Sequence, residues 1–256
     1  MHNRIATIAR YTTLEAVRTR FAVLALAVIA VTLAASFFVR EIAVTESLRF
    51  QIAFYAATVR FAMVFVASLY AIASVSREFQ DKGLDVTLAL DLPRSHYILG
   101  KLSGFLAIAL VLSLLSALPL VAFVAPEAAL QWAASLSCEL AIVVALSLFC
   151  VVTFNALMPA ASIVLAFYVF ARALSAIRLI SANPITDADA PSQHVMNAFI
   201  EGLALVVPAL DRWTRTVWLL DEPASWSSIG LLAAESLVFV VVLAAAAVFD
   251  MQRKNF

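Results

Sequence analysis

Apolar and polar positions alternate in long blocks along this chain, not residue by residue. Six blocks are long enough for a helix of about 20 mostly apolar residues to cross a bilayer. They cover residues 21–39, 51–74, 95–124, 131–154, 159–177 and 227–249. Four carry a single ionisable residue within the apolar run: Arg60 in the second, Glu139 in the fourth, Arg172 in the fifth and Glu235 in the sixth. Pro119 falls near the end of the third block. Pro159 opens the fifth, where a missing N–H costs a helix nothing. A seventh apolar stretch, residues 195–210, is interrupted by Glu201, Gly202 and Pro208. Its pieces are shorter than a span, so it is expected to enter the outer leaflet and return. Trp213 and Trp218 beside it suit a membrane–water boundary.

Before the first block, Ile5, Ile8, Ala9, Thr12 and Ala16 recur at helical spacing among Arg4, Arg10, Arg18 and Arg20. This predicts an amphipathic helix over 1–20, lying in the inner interface with its arginines toward anionic headgroups. No cleavable signal peptide is recognised, because the first apolar run follows a polar segment and lacks a small-residue cleavage site. The expected fold is all-α and integral to the membrane: one transmembrane domain over 1–256, with an external loop at 178–226.

Composition agrees, with 64% hydrophobic and 13% charged residues and a mean hydropathy of +1.00. Soluble domains carry roughly 25% charged residues. The formal net charge is zero, so nothing points to nucleic acid as a partner. Local charge orients the chain instead. With six spans, one side holds Arg4, Arg10, Arg18, Arg20, Arg77, Lys82, Arg94, Lys101, Arg253 and Lys254. The other holds half as many: Arg40, Arg49, Arg178, Arg212 and Arg215. The excess of Lys and Arg predicts that both termini are cytoplasmic.

Enzymatic signatures are missing from the sequence. His2, His96 and His194 are scattered, and Cys138 and Cys150 read as small hydrophobes in one span. There is no H-E-x-x-H, G-x-S-x-G or G-x-x-x-x-G-K-[ST]. No catalytic residue, metal ligand or bound cofactor is therefore expected, and a passage or docking role is favoured over an enzyme. The charges inside the spans admit two compatible readings. Arg60, Glu139, Arg172 and Glu235 could form a polar translocation surface toward the outer leaflet. They could equally form interhelical ion pairs, for example Arg60 with Glu139 and Arg172 with Glu235.

The densest charge in the chain lies between the second and third blocks, in SVSREFQDKGLDVTLALDLPRSHYILGK. Leu84, Val86, Leu88, Leu90 and Leu92 alternate as in a strand, but nothing else in the chain offers a strand partner. Read as a helix, Glu78, Asp81 and Asp85 share one face, and Lys82 is placed to pair with Glu78. Leu84, Leu88 and Leu92 form another face, and Pro93 ends the element. A short helix over 76–92 with an acidic face and a leucine face suits docking onto another protein.

These residues resemble the signature of ABC-2 type permeases, the membrane subunits of ABC exporters. The likeness rests on Arg77–Glu78–Phe79, Lys82–Gly83–Leu84, Leu88–Ala89–Leu90, Pro93–Arg94 and Tyr97–Ile98–Leu99–Gly100–Lys101. Leu84–Asp85 stands where Thr–Leu is common in that family, and Pro93–Arg94–Ser95 where Pro-x-Ser-Arg is common. Residues 207–213 resemble the outer segment of the subgroup that includes copper-enzyme maturation permeases. The resemblance implies a coupling helix at 76–92 that seats in a separate ATPase subunit. Arg77, Glu78, Phe79, Asp81, Lys82, Gly83, Leu84, Asp85 and Leu88 would then form the docking surface. It further implies an N-terminal elbow helix, a second permease copy forming a homodimer, and a bacterial cytoplasmic (inner) membrane location. ATP and Mg would sit on the partner subunit. An ion- or proton-coupled secondary transporter is the rival reading, and an intramembrane enzyme a more distant one.

Overall fold

A computed structural model describes residues 2–80, 93–182 and 191–253. Its elements are α1 (His2–Arg18), α2 (Phe21–Ile42), α3 (Ser47–Gln80), α4 (Arg94–Ala117) and α5 (Pro126–Phe154), followed by α6 (Leu157–Ala182), α7 (Pro191–Val206), α8 (Val217–Leu220) and α9 (Trp226–Arg253). Two 3-10 turns, at Leu118–Ala122 and Leu210–Arg212, complete the list. No strand occurs among the described residues. Six helices are long and apolar enough to cross a membrane: α2, α3, α4 with its 3-10 extension, α5, α6 and α9. The six apolar blocks of the sequence thus correspond to six helices.

The boundaries follow local chemistry. Pro119 lies in the 3-10 turn that ends α4, because proline cannot donate back into an α-helix. Pro126 is the first residue of α5, where no intrahelical donor is required. Asn155 closes α5 with a left-handed φ of 53°, and its N–H returns to the Val151 carbonyl. Asparagine tolerates that conformation better than a branched residue would. Pro159 falls in the first turn of α6, two residues later than expected, still among the N–H groups that have no helical partner.

Helix α5 is the centre of the bundle: 72% of its apolar window is buried, against 22% for α2 and α6. It packs against α3, α4, α6 and α9. Its buried surface is rich in Ala and Ser (Ala128, Ala129, Ala133, Ser135, Ala145 and Ser147). Small residues let helix backbones approach closely in lipid, where there is little hydrophobic force between helices. Helices α2 and α9 instead keep exposed apolar stripes, including Val31, Phe38, Leu237 and Val241.

The amphipathic start forms the helix that its spacing predicts, but its apolar face turns toward protein. Ile8 and Thr12 of α1 lie against Gly100 and Gly104 of α4. These glycines stand four residues apart, the small-xxx-small spacing that admits a crossing helix. A Cβ on Gly104 would lie 2.7 Å from the Thr12 Cβ and 3.0 Å from the Ala9 carbonyl oxygen. The remaining α1 surface exposes Arg10, Tyr11 and Val17.

Candidate functional site

Two polar clusters lie at opposite ends of the bundle. The first is built where residues 207–220 fold back into it. The 3-10 turn at Leu210–Arg212 leads into Trp213, which is 1% exposed. Its indole Nε1 donates to Ser236 Oγ at 2.9 Å. Thr214 follows with φ of 45°, an unusual conformation for a β-branched residue. Three contacts hold it there. Its N–H donates to Ser135 Oγ at 2.9 Å. Its hydroxyl donates to Glu139 Oε2. Its carbonyl accepts from Arg60 Nη1 at 2.8 Å.

Glu139 is fully buried and its two oxygens are well supplied. Oε1 accepts from Tyr168 OH and from Arg172 Nη1, both at 2.9 Å. The same Arg172 nitrogen reaches the Leu210 carbonyl at 3.1 Å. Nearby, Ser175 Oγ donates to Asp211 Oδ1 at 2.7 Å, and Arg212 lies 3.6 Å from Glu235. A carboxylate with this many donors is stable away from water, whereas an unpaired one is not. Residues 207–220 are thereby fastened to α3, α5, α6 and α9 at once.

This arrangement corrects the pairings suggested by the sequence. Glu139 pairs with Arg172 rather than Arg60, and Glu235 pairs with Arg212 rather than Arg172. Arg60 finds a backbone carbonyl instead of a carboxylate. Depth along each helix brought the four charges into the same layer, but the folded-in segment supplies partners that depth alone does not reveal. Ser135, Tyr168, Asp211 and Thr214 belong to the cluster without standing out in the sequence as candidates. A local signal was present: Ser135 and Glu139 are one turn apart on α5, and Tyr168 and Arg172 one turn apart on α6. Each pair therefore presents both members on one face.

The second cluster joins α1, the end of α3 and the start of α4. Lys101 is only 5% exposed in its side chain and lies 3.7 Å from Glu15 Oε2. Its Nζ also donates to Glu78 Oε1, and Tyr97 OH donates to Glu78 Oε2. Arg77 Nη2 reaches Glu15 Oε1 at 3.3 Å, and Ser74 Oγ donates to Glu15 Oε2 at 3.2 Å. Phe105 lies beneath the ammonium, 5.9 Å from it to the ring centroid, within cation–π range. A cavity of about 350 Å³ opens beside the cluster, lined by Ile8, Tyr11, Thr12, Glu15, Glu78, Tyr97 and Lys101. At the same end, Arg94 Nη1 donates to the Met251 carbonyl at 3.0 Å and the Gln252 carbonyl at 3.3 Å. A cation there complements the carbonyl end of α9.

Of the nine residues expected to form a docking helix, Arg77, Glu78 and Phe79 continue the last turn of α3. They do not begin a separate helix at residue 76, because the helical backbone runs unbroken out of the span. Glu78 faces Lys101 and Tyr97 inside the protein. Asp81, Lys82, Gly83, Leu84, Asp85 and Leu88 lie outside the described residues, as does the expected Glu78–Lys82 pair. Among the described residues, no three His, Cys, Asp or Glu side chains gather to hold a metal ion. In comparisons with known proteins, no family model matches the chain and no curated protein is significantly similar to it.

Proposed function

We propose that the chain is the permease subunit of an ATP-driven exporter of the ABC-2 type. It works as a homodimer in a bacterial cytoplasmic membrane, with both termini cytoplasmic. Residues 178–226 then face outward, and the apolar part of 195–210 dips into the outer leaflet. A separate nucleotide-binding subunit carries ATP and Mg and docks at residues 76–92. The observation that supports this reading is the second polar cluster. Arg77 and Glu78 precede the 81–92 stretch and Lys101 follows it, and all three close on Glu15 of α1 or on each other. A push delivered between them would move α1, α3 and α4 together, as a coupling device requires.

The direct test is coexpression with an ATPase encoded beside this gene. The complex should copurify and hydrolyse ATP. Asp85→Lys, a charge reversal on the proposed docking face, should weaken copurification at least about tenfold, as loss of a steering or paired charge does at interfaces. Lys101→Met should leave copurification intact while altering turnover, because Lys101 is buried inside the permease. A wild-type chain that retains no ATPase, or an Asp85→Lys complex that assembles normally, would refute the assignment.

A further inference from the structure

The folded-in segment also frames a cavity beside the first polar cluster, with which it shares Arg212. It has a volume of about 520 Å³ and is lined by Arg212, Arg215, Trp218, Ser227, Ser228, Leu231 and Leu232. Two guanidinium groups line it, and no acidic side chain does. Arg212 is half exposed and shares Glu235 at 3.6 Å, while Arg215 has no ion pair among the described residues. Ser227 and Ser228 belong to the first turn of α9. Ser225 Oγ already holds the Ser227 N–H at 3.3 Å and its hydroxyl at 2.7 Å, which leaves Ser228 as the first-turn serine open to the cavity, at the positive end of the helix dipole. Two cations, Ser228 and the start of α9 therefore line one concave space, a combination suited to a phosphate oxyanion.

The other wall of the cavity is apolar. Leu232 is buried in the core, and the exposed Leu231 leads onto the stripe of α9 that continues through Leu237, Val238 and Val241. Trp218 lines the cavity and Trp226 begins the helix, and tryptophan concentrates where a span leaves the bilayer. A polar head in the cavity would thus have an apolar track of protein directly beneath it. We propose that this cavity binds a phosphate-bearing amphiphile, its phosphate between Arg212 and Arg215 and its acyl chain along Leu231 toward the α9 stripe. The site stands on this geometry alone and does not depend on how the chain is driven.

The test uses the full chain purified in phosphate-free, non-ionic detergent. Binding of dioctanoyl phosphatidic acid, inorganic phosphate and dioctanoylglycerol is read from intrinsic tryptophan fluorescence and, independently, from native mass spectrometry. Phosphatidic acid should bind, and Arg215→Gln should weaken it at least about tenfold, the effect of losing one charge-assisted contact. Arg215 is the informative position because its replacement breaks no internal ion pair. Arg40→Gln, an exposed charge outside the cavity, should leave binding unchanged. Phosphatidic acid binding well above inorganic phosphate supports a lipid ligand. Equal affinities, both lost in Arg215→Gln, would overturn the acyl-chain track and leave an oxyanion site for soluble phosphate. Dioctanoylglycerol binding as tightly as phosphatidic acid would overturn the proposal. So would binding that survives Arg215→Gln, or falls equally in Arg40→Gln.

Discussion

Replacing Glu139 by leucine tests the organisation of the first polar cluster. The carboxylate is fully buried and accepts from Tyr168, Arg172 and Thr214. Hydrogen bonds between membrane helices average about 0.6 kcal/mol each, because the unfolded chain in lipid also finds partners. Three such bonds give about 2 kcal/mol as a lower figure. The upper figure is about 3–5 kcal/mol, the cost of leaving a buried ionic partner without its counter-charge. The Arg172 side chain is 22% exposed, so water relieves part of that cost and the expected loss lies between the two. For a chain of this size it should lower Tm by roughly 5–15 °C, at about 2–4 °C per kcal/mol.

Glu139→Gln should cost less. Its amide keeps the shape and one acceptor oxygen, and the Thr214 hydroxyl can turn to accept from the new N–H₂. The double change Glu139→Leu with Arg172→Met removes both charges and should recover at least half of the loss. Pairing Glu139→Leu with Arg60→Met should recover less, since Arg60 donates to the Thr214 carbonyl. The measurement is a thermal melt of detergent-purified protein, with Trp213 as a local reporter of whether residues 207–220 stay docked. A coupling between positions 139 and 172 within about 0.5 kcal/mol of zero, the range of independent sites, would refute the pairing. A larger rescue by Arg60→Met would refute it too.

The other end of the bundle gives further expectations. Gly104→Val places a side chain where Thr12 and the Ala9 carbonyl already stand, so α1 should lift from α4. In a background without Cys138 and Cys150, maleimide labelling of Thr12→Cys should then rise several-fold. Gly230→Ala, with open space around the new methyl, should not change it. Lys101→Met leaves Glu15 and Glu78 facing each other without their shared cation and should cost about 1–3 kcal/mol. That is below the figure for a fully buried pair, because both carboxylates are one-third exposed. Adding Glu78→Gln should restore part of the melt; no restoration would place the effect elsewhere. Arg49→Ala, which removes an exposed pair with Asp221, should leave the melting curve unchanged.

What could be read from the sequence depended on the scale over which each pattern extends. Spans follow from runs of about 20 apolar residues, and all six survive into the structure with only their ends moved. The α1 helix follows from a period repeated over about three turns, from Ile5 to Ala16. Which surface its apolar face meets does not, since lipid and a glycine-notched helix make the same demand on residues 5–16. The notch was visible at Gly100 and Gly104, but a four-residue glycine spacing gains meaning only with a partner placed across it. The helix of the second span runs past the end of its apolar block, to Gln80, for a related reason. Polar residues from Arg77 onward read as the start of something new, yet a helix can leave the membrane without ending. Arg77 and Glu78 have partners on α1 and α4 that keep them in the same rod.

The intramembrane charges expose the deeper difficulty. Sequence pattern pairs a charge on one span with charges on other spans, and of the last connection it sends only the apolar stretch 195–210 into the membrane. Here a connection supplies the decisive contacts through groups that a side-chain inventory omits: the carbonyls of Leu210 and Thr214 and the N–H of Thr214. Backbone groups that enter an apolar region must be satisfied there, so residues 207–220 and the charged spans each meet the other's need. Arg60, Arg172 and Glu139 can occupy the bundle because the segment enters, and the segment can enter because those charges are present. A change on either side should therefore register on both. The polar residues beside Trp213 belong to the interior of this protein as fully as the apolar residues of its spans.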